Sequence, residues 1–554
     1  MTENDKKATR WWTAVIAAVT AIMLSPALFC GFEVCDSGFY MTFYDNIFSH
    51  PESVSYNFMY YLSGIVGGTV RLVTGDSLIG MRVAGMLASI GIALCVCNAT
   101  RGKDMRLPQL AATITVCAGM LISPLTFYND ILTMLMATAS VMLLMREGHK
   151  ATFWAALIAG LNTFTRIPNI LEFLFIFLIV YRFKDDRKQV LKLSCIWCLG
   201  WLSGIATGLG ITAMFGHIGC LYDTFNDLFR AAKGGADAST HSMVNLIGAL
   251  IGSWIKIAIL ATGISLAGFI TVYARCSGIR KWIKRVIAVV AVILCGCLFI
   301  GSDPVTSLGA FSVAGCVCNL LTQCSLRIKQ LSAAGLLMII ILPTGSDNGI
   351  YNSGTIVLWL AAVPAFACVL RHMGRHITVG LTFVLASTSI ITICRTGFYF
   401  DDTPLFGISA EVDLPAAGNI YTSPARAQRI ERIVTKLSRY VESGDTLLVY
   451  GSAPMLNHLT GTLPAIGCSW PELLTATQLK EKLDKSGNIP NIVVMRFNTI
   501  GSEWGEPSDL YVKGLDKTAG IYHNAEKSSV IEEYIRHNGC YKCVEDEDFI
   551  FYTK

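Results

Sequence analysis

The chain has 554 residues, 53% of them hydrophobic and only 15% charged, where soluble domains carry about 25% charged residues; an ordinary soluble protein is excluded and a polytopic membrane protein indicated. The formal net charge of +5 hides a split, because residues 1–396 hold 29 Lys and Arg against 18 Asp and Glu, while residues 397–554 hold 15 against 21. The basic excess lies between apolar segments, as topogenic loop charge does, so it is not a nucleic-acid footprint.

A membrane span needs about 20 apolar residues and no fewer than about 17. Spans are predicted near 11–30, 80–98, 108–123, 131–145, 151–165, 170–182, 191–214, 246–274, 286–301, 306–324, 331–343, 355–370 and 377–395, which gives about 13 transmembrane helices. No cleavable signal precedes them, since the first apolar segment is long enough to span and stay. Of the 29 basic residues before position 397, 22 fall in seven patches: Lys6/Lys7/Arg10, Arg101/Lys103/Arg106, Arg146/Lys150, 182–192, 275–285, Arg327/Lys329 and Arg371/Arg375. The positive-inside rule puts these patches in the cytoplasm and the loops between them outside. Residues 58–73 are apolar enough to resemble a further span, but counting it would place Arg101, Lys103 and Arg106 outside. The stretch 31–79 is therefore an outer loop, with 37–75 expected as short helices on the membrane surface. A second outer loop, 215–245, combines an amphipathic helix at 221–232 with a run of small residues at 234–240, the composition of a linker or a lid.

The odd number of spans sends the tail outside. It reads as a small α/β domain: helices at 423–441, 455–459, 471–483 and 528–537, strands at 446–450 and 491–497, and a terminal hairpin at 541–552. Ser423 suits a helix N-cap, and Pro424 the position after it. The expected architecture is a transmembrane domain (1–396) and an extracytoplasmic α/β domain (397–554), multi-pass in the cytoplasmic (inner) membrane with the N-terminus in the cytoplasm. Most of the 19 cysteines sit in apolar segments and behave as small apolar residues. Cys540 and Cys543 form a C-x-x-C with no second pair or nearby His, which disfavours zinc and leaves a disulfide or two free thiols.

Charged side chains beside a bilayer are costly and mark functional sites. Asp36 follows the first span, next to Ser37 and Gly38 and to the interfacial aromatics Phe39 and Tyr40; a carboxylate there can take a proton from a hydroxyl acceptor. Its plain alternative is a loop acid or N-cap. Asp130 opens the fourth span, where the helix dipole alone would favour a carboxylate. Arg166, between spans on the outer face, suits a phosphate headgroup, or simply snorkels. Lys256 can reach the same interface, and Asp347 lies in a turn-rich outer loop. Nucleotide motifs of the G-x-x-x-x-G-K-[ST] type are absent, so an activated donor carried by the membrane fits better than a soluble one.

This layout resembles the GT-C class of glycosyltransferases, and most of all the branch of the lipid A aminoarabinose transferases and protein O-mannosyltransferases. The residues that carry the resemblance are Asp36 after the first span, Arg82-Val-Ala-Gly-Met opening the second, Asp130 opening the fourth and Arg166-Ile-Pro168 between the fifth and sixth. Gly444-Asp-Thr-Leu-Leu-Val-Tyr-Gly451, followed by Leu459-Thr-Gly461, resembles the start of that branch's outer domain. Two departures stand out: one acid followed by Ser37 and Gly38 in place of paired acids, and His50-Pro51 with Tyr56-Asn57 in place of a Lys-Pro-Pro-Leu stretch. The resemblance implies a GT-C-like fold and an inverting transfer of a sugar from a polyprenyl phosphate to an acceptor on the outer face of the membrane, the acceptor being a glycan, lipid or protein. Asp36 and Asp130 are then the catalytic candidates, and Arg166, Lys256, Arg82, Tyr40 and Asp347 the substrate-binding ones. A divalent cation is the one cofactor left open, and membrane lipid the expected partner. The competing expectations are a transporter or flippase for a lipid-linked or small polar substrate, and an inactive scaffold of the same fold.

Overall fold

The computed structural model describes residues 3–75, 77–123, 125–233, 242–300, 302–401, 403–500, 504–505, 525–539 and 541–554. Each of the 13 apolar segments is helical, from Glu3–Phe29 through Leu78–Ala99, Asn129–Leu144 and Met243–Cys276 to Arg375–Thr396. Among the described residues eight helices are long and apolar enough to cross a membrane. The chain is thus a polytopic helical membrane protein. Two expected spans depart from a plain α-helix: 170–182 is split into a 3-10 stretch, Ile167–Phe175, and a short α-helix, Ile176–Arg182, and 355–370 opens with a 3-10 stretch, Gly354–Leu358, ahead of Trp359–Met373. Pro168 is the second residue of the first 3-10 stretch, in its first turn, where its missing amide hydrogen costs no helix hydrogen bond.

The tightest helix pair shows how sequence sets packing. Gly200, Gly204 and Gly208 recur every fourth residue along Arg187–Met214, and a Cβ on Gly204 would overlap the carbonyl of Leu157 on His149–Asn162. Such small-residue stripes let backbones close where lipid offers no hydrophobic drive.

Residues 37–75 form the short helices expected, Asp36–Asn46, Pro51–Tyr60 (3-10) and Tyr61–Thr74. They are not a bare surface layer. Helix Asp36–Asn46 is buried along nearly its whole length, because the C-terminal region covers it. Gly38 sits against the backbone of Met455 with no room for a Cβ. The Met455 amide donates to Val34 O at 3.0 Å, and Thr42 Oγ1 donates to Pro454 O at 3.1 Å.

The C-terminal region begins with a two-stranded ribbon, β1 (Ala410–Glu411) and β2 (Tyr421–Thr422), which bridges to Cys30 at the end of the first helix. The main sheet has five strands: β3 (Thr446–Tyr450), β4 (Leu463–Pro464), β5 (Asn491–Met495), β6 (Lys542–Glu545) and β7 (Phe549–Thr553), in the order β4-β3-β5-β7-β6. β3, β4 and β5 are parallel, and β7 closes antiparallel on β5. Helices Pro424–Leu437, Met455–Thr460, Ala476–Ser486 and Ala525–His537 accompany it. Ser423 is the N-cap, accepting from the Arg426 amide at 3.3 Å. Cys540 lies outside the described residues, and Cys543 is bonded to no cysteine among the described ones.

Candidate active site

The carboxyl ends of β3 and β5 face the membrane helices, the edge at which open α/β sheets bind ligands. Here that edge receives the start of helix Asp36–Asn46. The chain turns off β3 through Gly451 (φ +118°) and Ser452 (φ +54°), and Ser452 O accepts from Cys35 Sγ at 3.1 Å. A Cβ at Gly451 would strike the Met495 side chain at 2.5 Å, so glycine is required there.

Two groups fix where Asp36 stands. Arg82 is buried, and its guanidinium donates to Ala27 O and Cys30 O at 3.1 Å each, and to Gly31 O. It thereby caps the C-terminus of Glu3–Phe29, where free carbonyls favour a cation. Glu33 is also buried and stands at the N-terminus of Asp36–Asn46. Its carboxylate accepts from the Cys35 amide at 2.6 Å, from the Ser37 amide, and from Tyr128 Oη at 3.2 Å. Burial pushes its pKa above the ordinary carboxylate value.

Asp36, half-buried, accepts a hydrogen bond from Tyr399 Oη. Burial is the main cause that pushes its carboxyl up to about 7; the Glu33 charge adds to this and the Tyr399 hydrogen bond opposes it. Asp36, Tyr40, Asp130 and Asp347 line one cavity, together with Tyr60, Tyr128, Asn129, Asn352, Tyr399 and Trp470. Tyr40 stacks on Tyr128 with centroids 4.5 Å apart and donates to Asn129 Oδ1 at 2.7 Å.

The other expected site residues lie off this wall. Arg166 is buried, donates to Leu342 O, and places Nη1 3.6 Å from Asp130 Oδ1; it stands behind Asp130 and does not snorkel. Lys256 is exposed and rests 5.4 Å above the Tyr351 ring, beside the loop that carries Asp347. Arg82 serves the helix end just described. Sequence reasoning missed Tyr399, Glu33 and Trp470. Tyr399 follows helix Arg375–Thr396 with no local signal, and Trp470 arrives from the C-terminal region. For Glu33 a signal existed: an acid three residues before a helix start can reach its free amides.

The second long loop expected outside is helical over Ile218–Lys233, and this helix is fastened to the C-terminal region. Lys482 Nζ lies 2.9 Å from Asp227 Oδ2, and Arg230 and Glu481 pair at 2.6 Å. The small-residue run 234–240 lies outside the described residues.

No protein-family model matches the chain, and no curated protein sequence matches it. Among solved structures it is similar to ArnT from Cupriavidus metallidurans bound to undecaprenyl phosphate, at 12% identity and a TM-score of 0.37, over 98% of each chain.

Proposed function

We propose that the chain is a membrane glycosyltransferase that moves a sugar from a polyprenyl phosphate to an acceptor hydroxyl on the outer face of the cytoplasmic membrane. The observation that carries this reading is Asp36: a half-buried carboxylate with a pKa of about 7, opening on a cavity of aromatic rings and amides at the junction of membrane helices and C-terminal sheet. A general base works best with a pKa near the operating pH. In the proposed step the acceptor oxygen bonds to the anomeric carbon, its proton passes to Asp36, and polyprenyl phosphate leaves with the electrons of the broken C–O bond. Attack opposite the leaving group inverts the anomeric centre. Tyr399 orients Asp36, and Glu33 and Arg82 hold the helix end that carries it. Aromatic walls suit the apolar faces of a sugar and the first isoprene units.

Among the lining residues there is no Lys or Arg, so phosphate charge has to be met another way. Asp130 Oδ1 accepts no hydrogen bond and faces Arg166 Nη1 at 3.6 Å, and the three cavity carboxylates do not converge as a ready-made ligand group, which leaves a hard divalent cation that arrives with the phosphate and is held by two of them together with phosphate oxygens. Asp130 and Asp347 would hold it, and it would supply charge stabilisation at the phosphate. Arg166, behind Asp130, balances the carboxylate.

Photo-crosslinking tests the reading. A photoactivatable polyprenyl-phosphate sugar should label cavity residues such as Tyr60 and Trp470 in protein reconstituted in nanodiscs, and excess unlabelled donor should compete. Labelling confined to the lipid-facing helices would contradict it.

A further inference from the structure

A different polar cluster lies outside the cavity, at helix ends that carry basic residues. Cys318 stands near the end of Pro304–Leu321, and Cys368 and His372 stand four residues apart on Trp359–Met373. That spacing puts both on one helix face. The two helices come close because Gly315 offers no side chain to keep Ala365 away. Two thiol sulfurs and one imidazole nitrogen consequently lie within 4.8 Å of one another, the only such group of three metal-ligating side chains among the described residues. His372 Nε2 is buried with no hydrogen-bond partner. A lone cysteine in an apolar helix is adequately explained as a small hydrophobe. Two cysteines converging on a half-buried imidazole whose Nε2 is itself buried and lacks a partner are not, since buried polar atoms are normally satisfied.

We propose that Cys318, Cys368 and His372 bind a borderline-soft divalent cation of the zinc class. Thiolate and imidazole are its preferred ligands, whereas calcium and magnesium require oxygen. Tetrahedral Zn–S bonds of about 2.3 Å place two sulfurs about 3.8 Å apart, so side-chain rotation closes the observed spread. Two thiolates cancel the charge of the cation and the imidazole binds neutral, which gives a site with no net charge inside a bundle of apolar helices. The helix ends that hold it carry Arg371 and adjoin Arg375, Arg327 and Lys329, the side the positive-inside rule assigns to the cytoplasm. Thiols stay reduced there and available as ligands. Arg275 Nη1 donates to the His372 carbonyl at 3.1 Å. Binding releases about two thiol protons and cross-links two helices far from the Asp36 cavity.

The test uses the full chain, purified in detergent under reducing conditions, stripped with a chelator and titrated with Co²⁺ and then Zn²⁺. A thiolate-to-cobalt absorption band should saturate at one equivalent and vanish as Zn²⁺ replaces Co²⁺. Loss of an outer-shell partner alone costs a metal site about tenfold or more, so Cys318→Ser and Cys368→Ser should each weaken Co²⁺ binding by at least about tenfold. Cys195→Ser, at an exposed cysteine, should leave it unchanged. If the serine variants fold poorly, the wild type supplies the answer: maleimide labelling of Cys318, read by mass spectrometry, should slow when Zn²⁺ is added. No cobalt band, a band unaltered in both serine variants, or labelling indifferent to Zn²⁺ would overturn the site.

Discussion

At the scale of single residues, two half-buried carboxylates, Asp36 and Asp130, share one cavity wall. The pKa of Asp36 lies at about 7, so the base is ionised only as pH rises through that value. kcat/KM should therefore climb through neutrality, and this limb should vanish in Asp36→Asn. The same shift gives a sign for stability. Between the ordinary carboxylate range and pH 7 the folded state holds a proton that the unfolded state has lost, so ionising Asp36 lowers stability as pH rises. Asp36→Asn should then melt at or above the wild-type temperature at pH 8, which separates a lost base from a lost fold. Arg166 invites the opposite expectation. It is buried beside Asp130, and removing one member of a buried pair costs about 3–5 kcal/mol. Arg166→Ala should lower the melting temperature sharply, and adding Asp130→Asn should recover part of that loss in a double-mutant cycle.

At the scale of elements, the join between helix Asp36–Asn46 and the C-terminal sheet is the part on which the cavity depends. His458 Nδ1 meets Asp45 Oδ2 at 2.6 Å, and Arg71 closes on the other oxygen of Asp45. Burial alone would lower the pKa of His458; the charge and hydrogen bond of Asp45 outweigh it and leave the pKa raised. A raised folded-state pKa stabilises fully below the ordinary histidine value and is lost as pH rises through the folded one. Limited proteolysis of the join should therefore quicken at high pH, and His458→Gln should be cut quickly already at neutral pH; equal protection in both proteins would remove the clasp from the account. This element also marks what the sequence could and could not disclose. Hydropathy located the helical segments, and a buried apolar run located β3 and β5. The clasp joins residues 413 apart, and no local pattern announces such a pair. Helix Asp36–Asn46 looked like a surface helix because its own sequence carries no sign of the layer that covers it. For the same reason Asp36 was legible as a candidate, while its hydrogen bond from Tyr399 was not.

At the scale of the whole molecule, topology comes first. Reporter fusions or single cysteines at Lys103, Lys184 and Arg371, all exposed, should report the cytoplasm, and at Lys485 the outside. An outside report at Lys103 would put the cavity that Asp36 and Asp130 share on the cytoplasmic side. The helices and the C-terminal sheet together enclose one cavity with Asp36 in its wall, and the central claim is that a sugar is transferred there. The most direct measurement is transfer from a radiolabelled polyprenyl-phosphate sugar to a membrane acceptor fraction, with wild type and Asp36→Asn purified side by side in nanodiscs. Wild type should release polyprenyl phosphate and label the acceptor, and Asp36→Asn should bind the donor yet transfer about 10²–10⁴-fold more slowly, the usual contribution of a general base. Equal transfer by the two proteins would contradict the account.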